Sequence, residues 1–192
     1  SVKDFVQQRR DALIAMRRDF HMYPEPAWLE YRSAAKVADR LISLGYDVAL
    51  GADVLDLDSR MGLPSDEVMK AAMDRAIKEG ANPELVEKMG YGKTAIVATM
   101  KFGGEGPVVA FRVDMDSNDV IEAKEDSHVP TKEGFRSCHD KAMHACGHDA
   151  HMTMGLGLAE YLAVHKDEFK GTIKLIFQPA EEGVRGAKAM AE

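Results

Sequence analysis

The sequence has little cysteine, no long apolar run and no excess of basic charge. Only Cys138 and Cys146 are present among 192 residues, too few for a disulfide framework. Both stand among histidines, and free thiols in such company lean toward metal chemistry and a reducing compartment; two incidental cysteines are the alternative. With 25 Lys and Arg against 32 Asp and Glu, the formal charge is -7. That balance argues against a nucleic-acid partner and gives no attraction to anionic membranes. No apolar run approaches the ~20 residues that span a bilayer. The opening stretch SVKDFVQQRRDALIAMRRDF has no signal-peptide h-region, so a cytoplasmic location is expected. What is present is ordinary for a globular protein: 45% hydrophobic and 30% charged residues. A single domain of this length buries roughly 70% of its unfolded surface.

Apolar spacing predicts an amphipathic helix over residues 2–20, ended by Pro24 and Pro26, and a second from Tyr31 to Leu44, stopped by Gly45. Tyr46–Leu50 reads as a short strand. Residues 51–92 read as a helical insertion too short for a core of its own, with helices over Ser65–Glu79 and after the Asn82-Pro83 cap. TAIVATMK (Thr94–Lys101) and PVVAFRVD (Pro107–Asp114) flank a glycine-rich turn and suggest a hairpin. A long irregular stretch, Met115 to His144, has the length of a functional loop. A helix from Asp149 to His165, a buried strand over Gly171–Gln178 and a helix beginning in Pro179–Glu192 follow. Helices interleaved with strands indicate a layered α/β fold. Gly155-Leu156-Gly157 falls inside a helix and follows no strand, so it is no nucleotide loop.

Three constellations carry chemistry. The densest is MHACGHDAHM, Met143–Met152, with His144, Cys146, His148, Asp149 and His151 within eight residues. On an extended segment Cys146 and His148 point the same way and can share one ion, and thiolate with imidazole suits zinc. Asp149 could cap the following helix or orient His148. A histidine-rich turn with a buried thiol is the bland alternative. FQPAEEG, Phe177–Gly183, places Glu181 and Glu182 at the C-terminal end of a buried strand, where open α/β sheets bind ligands. One carboxylate could bind a metal while the other serves as base, although most such pairs are solvated loop residues. In RVDMD, Asp114 and Asp116 share an orientation if the strand continues; they support the site or merely end the strand. Cys138 reads as a free thiol at the edge of the site.

HACGHDAHM, FQPAEEG, RVDMD and the early RRDFHMYPEPAWLEYRSA together resemble the metallo-amidohydrolase family of aminoacylases, hippurate hydrolases, auxin-conjugate hydrolases and related carboxypeptidases. The resemblance runs from near Arg17 to Met190. DSRMGLP, FRVDMD, SCHDKAMHACGHD and KLIFQPAEEGVRGAKAM look closest to its aminobenzoyl-glutamate-cleaving branch. The resemblance implies a three-layer α/β/α, zinc-exopeptidase-like catalytic domain. Residues 1–192 would be its N-terminal portion, with the lid and dimerisation domain and the C-terminal catalytic portion beyond. It implies Cys146, His148 and Glu182 as metal ligands and Glu181 as general base, with Asp114, Asp116, Asp149, His144 and His151 around them. It implies two divalent ions, zinc or manganese, at separations of roughly 3.5–4 Å. The substrate would be an N-acyl amino acid, an aromatic acyl group joined to glutamate. A broader N-acyl-amino-acid or dipeptide hydrolase is the alternative, as is a catalytically incomplete assembly partner. The partner would be a second copy in a homodimer, or a different but homologous chain in a heterodimer. One departure stands out: Ser117-Asn118 follows Asp116 where the family usually has Ala-Leu. Further ligands would lie beyond residue 192, so the chain alone is expected to be poorly active.

Overall fold

The computed structural model describes residues 1–191. The first helix, α1 (Val2–Met22), starts at a capping box in which Ser1 Oγ accepts from the Asp4 amide, and ends at Tyr23 just before Pro24. Helix α2 (Tyr31–Ser43) closes at Leu44, and Gly45 takes a positive φ of 84° to turn the chain into β1 (Asp47–Leu50). Two short 3₁₀ turns follow, then α3 (Asp66–Lys78), capped by Ser65, and α4 (Pro83–Lys88), capped by Asn82 with Pro83 in its first turn. Ala72, Ala76, Leu85, Val86 and Met89 of this helical segment join the main core with Val37, Ala38 and Leu41 of α2. Residues 51–92 therefore share the core of the rest of the chain.

The remaining elements are β2 (Ile96–Lys101), β3 (Val108–Asp114), a one-turn helix α5 (Val129–Lys132), α6 (His148–Val164), β4 (Thr172–Gln178) and α7 (Ala187–Ala191). The hairpin expected from β2 and β3 does not form. The sheet order is β1-β2-β4-β3, with β4 antiparallel to β2 and parallel to β3. The β2–β3 link crosses the start of β4: Phe102 N donates to Gly171 O at 2.8 Å and Thr172 N to Pro107 O at 3.0 Å. A Cβ on Gly171 would lie 2.3 Å from the Pro107 carbonyl oxygen, so glycine permits this crossing. The physical reason is connectivity. α6 is a crossover helix that brings β4 back parallel to β3, and a strand buried along TIKLIFQ gains from a neighbour on each side.

Ile173, Leu175 and Phe177 of β4 are buried while Lys174 between them is exposed, the alternation of a strand with one covered face. α6 lies close to that face. At Gly155 a Cβ would meet Val113 Cγ2 at 2.9 Å and Phe177 Cζ at 3.0 Å, so packing explains this glycine. Among the described residues β3 is an edge strand, and its Val108, Val109 and Phe111 are exposed, an unpaired apolar edge of the kind that invites association.

Candidate metal centre

Two parallel strands end side by side, with Asp114 paired to Gln178, and their crossover helix begins between them. This topology gathers RVDMD, the start of α6 and the Glu181-Glu182 turn at one crevice, at the carboxyl ends of the strands. Cys146 and His148 do not converge on an extended segment, as their spacing suggested. Gly147, left-handed at φ 85°, caps α6, and His148 is the first residue of the helix. The turn brings the two side chains together.

Asp116 organises the crevice. Its backbone carbonyl accepts from His148 Nδ1 at 2.7 Å, which leaves Nε2 facing inward. Its carboxylate oxygens accept the Glu181 and Glu182 amides at 2.9 and 3.0 Å. Ala180, in the left-handed region at φ 51°, starts that turn, and its amide donates to Glu30 Oε1 at 2.8 Å. Glu30 is fully buried; burial and the neighbouring Asp116 charge push its carboxyl up to about 8. Thr94 Oγ1 donates to its other oxygen at 2.7 Å.

His148 Nε2 lies 3.7 Å from Asp114 Oδ1, 3.8 Å from Glu181 Oε2 and 4.0 Å from Glu182 Oε1. His151, one helical turn on, holds Asp114 Oδ1 at 2.5 Å through Nδ1, and Arg112 pairs with the other oxygen. Burial disfavours the His148 imidazolium, but Asp116 and Asp114 outweigh it and raise its pKa to about 9. Burial likewise opposes the Asp114 carboxylate, while the His151 hydrogen bond and the charges of His148 and His151 hold it below the usual range. The exposed Cys146 thiol is pushed up, chiefly by its hydrogen bond with Glu182.

Other sequence-predicted residues lie differently. Asp149 does not orient His148. Its Oδ2 meets His21 Nδ1 at 2.8 Å and Arg17 Nε at 2.9 Å, while Oδ1 accepts the Ala150 amide, tying α6 back to α1. His21 Nε2 contacts Glu122 Oε1, also at 2.8 Å. Burial works against a charged His21, but its bonds to Asp149 and Glu122 raise its pKa. His144 is buried with no hydrogen-bond partner for either ring nitrogen among the described residues, and burial takes it down to about 4. Cys138 is free and exposed but grouped with Glu79 and His139, away from the centre. Sequence reading missed Glu30, His21 and Glu122, although Glu30 and His21 lie in the early RRDFHMYPEPAWLEYRSA segment.

The donor set suits divalent metal ions. Cys146, His148 and Glu182 each offer a ligand atom within 4.8 Å of the others, as do Asp114, His148 and His151, so two overlapping groups share His148. Glu182 Oε1 is buried without a hydrogen-bond partner among the described residues. Sulfur, imidazole and carboxylate donors crowded together are the types that such ions take, and His148 is anchored at Nδ1 as ligating histidines are.

Residues 110–192 match the family model described as peptidase family M20/M25/M40. The chain is 48% identical to an indole-3-acetyl-aspartic acid hydrolase from Enterobacter agglomerans, over 98% of this chain and 43% of that protein. It is also 48% identical to one of the named subunits of p-aminobenzoyl-glutamate hydrolase from Escherichia coli, over 100% of this chain and 44% of that protein. The chain thus spans less than half the length of these relatives. Among solved structures, an aminobenzoyl-glutamate utilization protein from Klebsiella pneumoniae superposes with a TM-score of 0.80 at 42% identity, covering 99% of this chain and 42% of that one. A Bacillus subtilis protein described as a dinuclear metal-binding peptidase from the M20 family superposes at 0.65 with 28% identity, over 100% of this chain and 40% of that one. RVDMD, HACGHDAHM and FQPAEEG all lie within the M20 family match, relatives are alike along the whole chain, and the chain has the mixed α/β, zinc-exopeptidase-like fold of the M20-family proteins it superposes on.

Proposed function

We propose that the protein is a metal-dependent amidohydrolase that cleaves an N-acyl amino acid, with p-aminobenzoyl-glutamate the preferred substrate. One observation carries the reading. Asp116 holds the Glu181-Glu182 turn by both amides, so that the two carboxylates stand 3.8 and 4.0 Å from His148 Nε2. In this reading Cys146, His148 and Glu182 bind metal, with Asp114 and His151 as further ligands or their supports. Zinc suits the thiolate, and manganese is acceptable to the carboxylates. When bound, two divalent ions polarise the amide carbonyl and acidify the attacking water. Glu181 takes the proton from that water and returns it to the departing amine nitrogen, leaving a carboxylic acid and a free amino acid. Its Oε2, 3.8 Å from His148 Nε2, supports that role.

The relatives named for cleaving aromatic acyl amides of glutamate and aspartate support an acidic amino acid on the leaving side. The Escherichia coli relative is named as one part of a larger enzyme, which supports pairing with a different, homologous chain; a homodimer is the other arrangement. The two free thiols of this chain favour the cytoplasm. Among the described residues no helix is long and apolar enough to cross a membrane. Residues 1–192 are read as the N-terminal portion of the catalytic domain. The test is release of glutamate from p-aminobenzoyl-glutamate, beside aspartyl and neutral N-acyl amino acids, with zinc or manganese added. Chelation should abolish release. A broader N-acyl-amino-acid or dipeptide hydrolase would show equal rates across the panel. Turnover that survives chelation and fails on Cys146 alkylation would favour a thiol nucleophile and overturn the reading.

A further inference from the structure

Asn118 binds the Cys146 segment through both its backbone and its side chain. Its backbone exchanges both bonds with Met143, N to O at 3.0 Å and O from N at 3.1 Å. Its side-chain Oδ1 accepts the amides of Ala145 and Cys146, each at 3.1 Å. Its Nδ2 donates toward Cys146 Sγ at 3.5 Å, a normal length for a bond to sulfur. The residue sits two positions after Asp116, so the same short segment that holds His148 and the Glu181-Glu182 turn also holds the thiol. The thiol itself is exposed, so packing does little to fix its position.

We infer that Asn118 is a positioning residue for the metal-binding thiolate, holding the 145–146 backbone through its carbonyl and drawing electron density from Sγ through its amide N–H. This rests on the metal-centre reading above. Two consequences follow from its chemistry. The two bonds at Oδ1 fix the turn before a metal arrives, so less ordering is left to pay for on binding. The N–H···S bond makes the sulfur a weaker donor, which leaves a bound ion a stronger Lewis acid. A leucine at this position would keep the backbone bridge and lose all three side-chain bonds. An aspartate has nearly the same shape and keeps the acceptor for both amides, but puts a lone pair where the donor stood.

The experiment compares wild type, Asn118→Leu and Asn118→Asp, loaded with Co²⁺ in the full 192-residue chain. It reads two quantities: affinity by chelator competition and the energy of the sulfur-to-cobalt charge-transfer band in the near ultraviolet. Asn118→Leu is expected to bind Co²⁺ ~10–100-fold more weakly, the usual loss for a partner behind a ligand. In both variants the band should move to longer wavelength, because a more electron-rich sulfur gives up charge more easily. Circular dichroism should match wild type in Asn118→Asp, which keeps the loop's own bonds and guards against a misfolded leucine variant. Unchanged affinity and unchanged band in both variants would overturn the inference. So would a wild-type band in Asn118→Asp, since Asn118 would then only hold the backbone. A wild type with no thiolate band at all would overturn the metal reading, and this inference with it.

Discussion

Two groups in this molecule each bring one cysteine, one histidine and one glutamate within 4.8 Å: Cys146, His148 and Glu182, and Glu79, Cys138 and His139. They differ in what the histidine has left to offer. His139 is engaged at both nitrogens, Nδ1 on the Pro24 carbonyl at 2.7 Å and Nε2 on Glu79 Oε1 at 2.7 Å. Among the described residues His148 is hydrogen-bonded only at Nδ1, and its Nε2 faces three carboxylates, none nearer than 3.7 Å. In the Glu79 group the histidine is held at both nitrogens and ties the loop after α5 to the end of α3. In the Cys146 group the histidine is anchored at one nitrogen and leaves room before the other. Residue types within reach do not make a metal centre; the hydrogen bonds they have already made decide it.

The largest effect that would sharpen this contrast is on turnover. Glu181→Gln should slow amide hydrolysis ~10²–10⁴-fold, the usual contribution of a general base, with metal content unchanged. Loss of metal in that variant would make Glu181 a ligand instead. Next, Cys146→Ser should deplete bound zinc or manganese in elemental analysis, whereas Cys138→Ser should leave it at the wild-type level. Equal depletion in both would break the comparison. Asp116→Asn loses an acceptor at the Glu181-Glu182 turn and should weaken metal binding ~10–100-fold without emptying the site.

Metal affinity should also rise with pH. His148 in the metal-free chain holds its proton to about 9, and the Cys146 thiol is pushed up as well, so each must release a proton to bind an ion. Affinity then climbs roughly tenfold per pH unit for each proton displaced and flattens for His148 above about 9. Isothermal titration in buffers of different ionisation enthalpy counts those protons; none released would contradict the raised His148. The smallest effect belongs to the closed group. Glu79→Gln should cost about 1 kcal/mol in urea unfolding and leave metal content alone.

Stability should fall in acid for a separate reason. His144 is neutral and buried, with a folded pKa near 4 against an ordinary value of 6.5. The unfolded chain takes up that proton first, so stability present above pH 6.5 is lost as pH falls toward about 4. His21 has the opposite sign: raised by Asp149 and Glu122, its contribution is full below its unfolded value and is lost as pH rises through the folded one. A urea midpoint that rose as pH was lowered from 6.5 to 4 would contradict the His144 assignment.

Helices and their ends were largely legible in the residues themselves. Ser1, Ser65 and Asn82 cap helices where side-chain acceptors stand before apolar periods, and Gly45 ends α2 where a positive φ is needed. The donor atoms that meet in the crevice also stand in short motifs, with Cys146, His148, Glu181 and Glu182 at a helix start and a strand end. The sheet order was not legible in this way. Nothing in the periodicity of β2 and β3 says that a strand some sixty residues later will lie between them; that follows from α6 carrying the chain back parallel to β3. Nor could spacing say that Asp149 would face α1 while the Asp116 carbonyl took His148. Local sequence determines backbone preference, caps and the supply of donor atoms, since these depend on neighbours along the chain. Which donors meet, which nitrogen of each histidine stays free, and which of two Cys-His-Glu groups remains open depend on contacts between distant segments, and only the tertiary structure decided them.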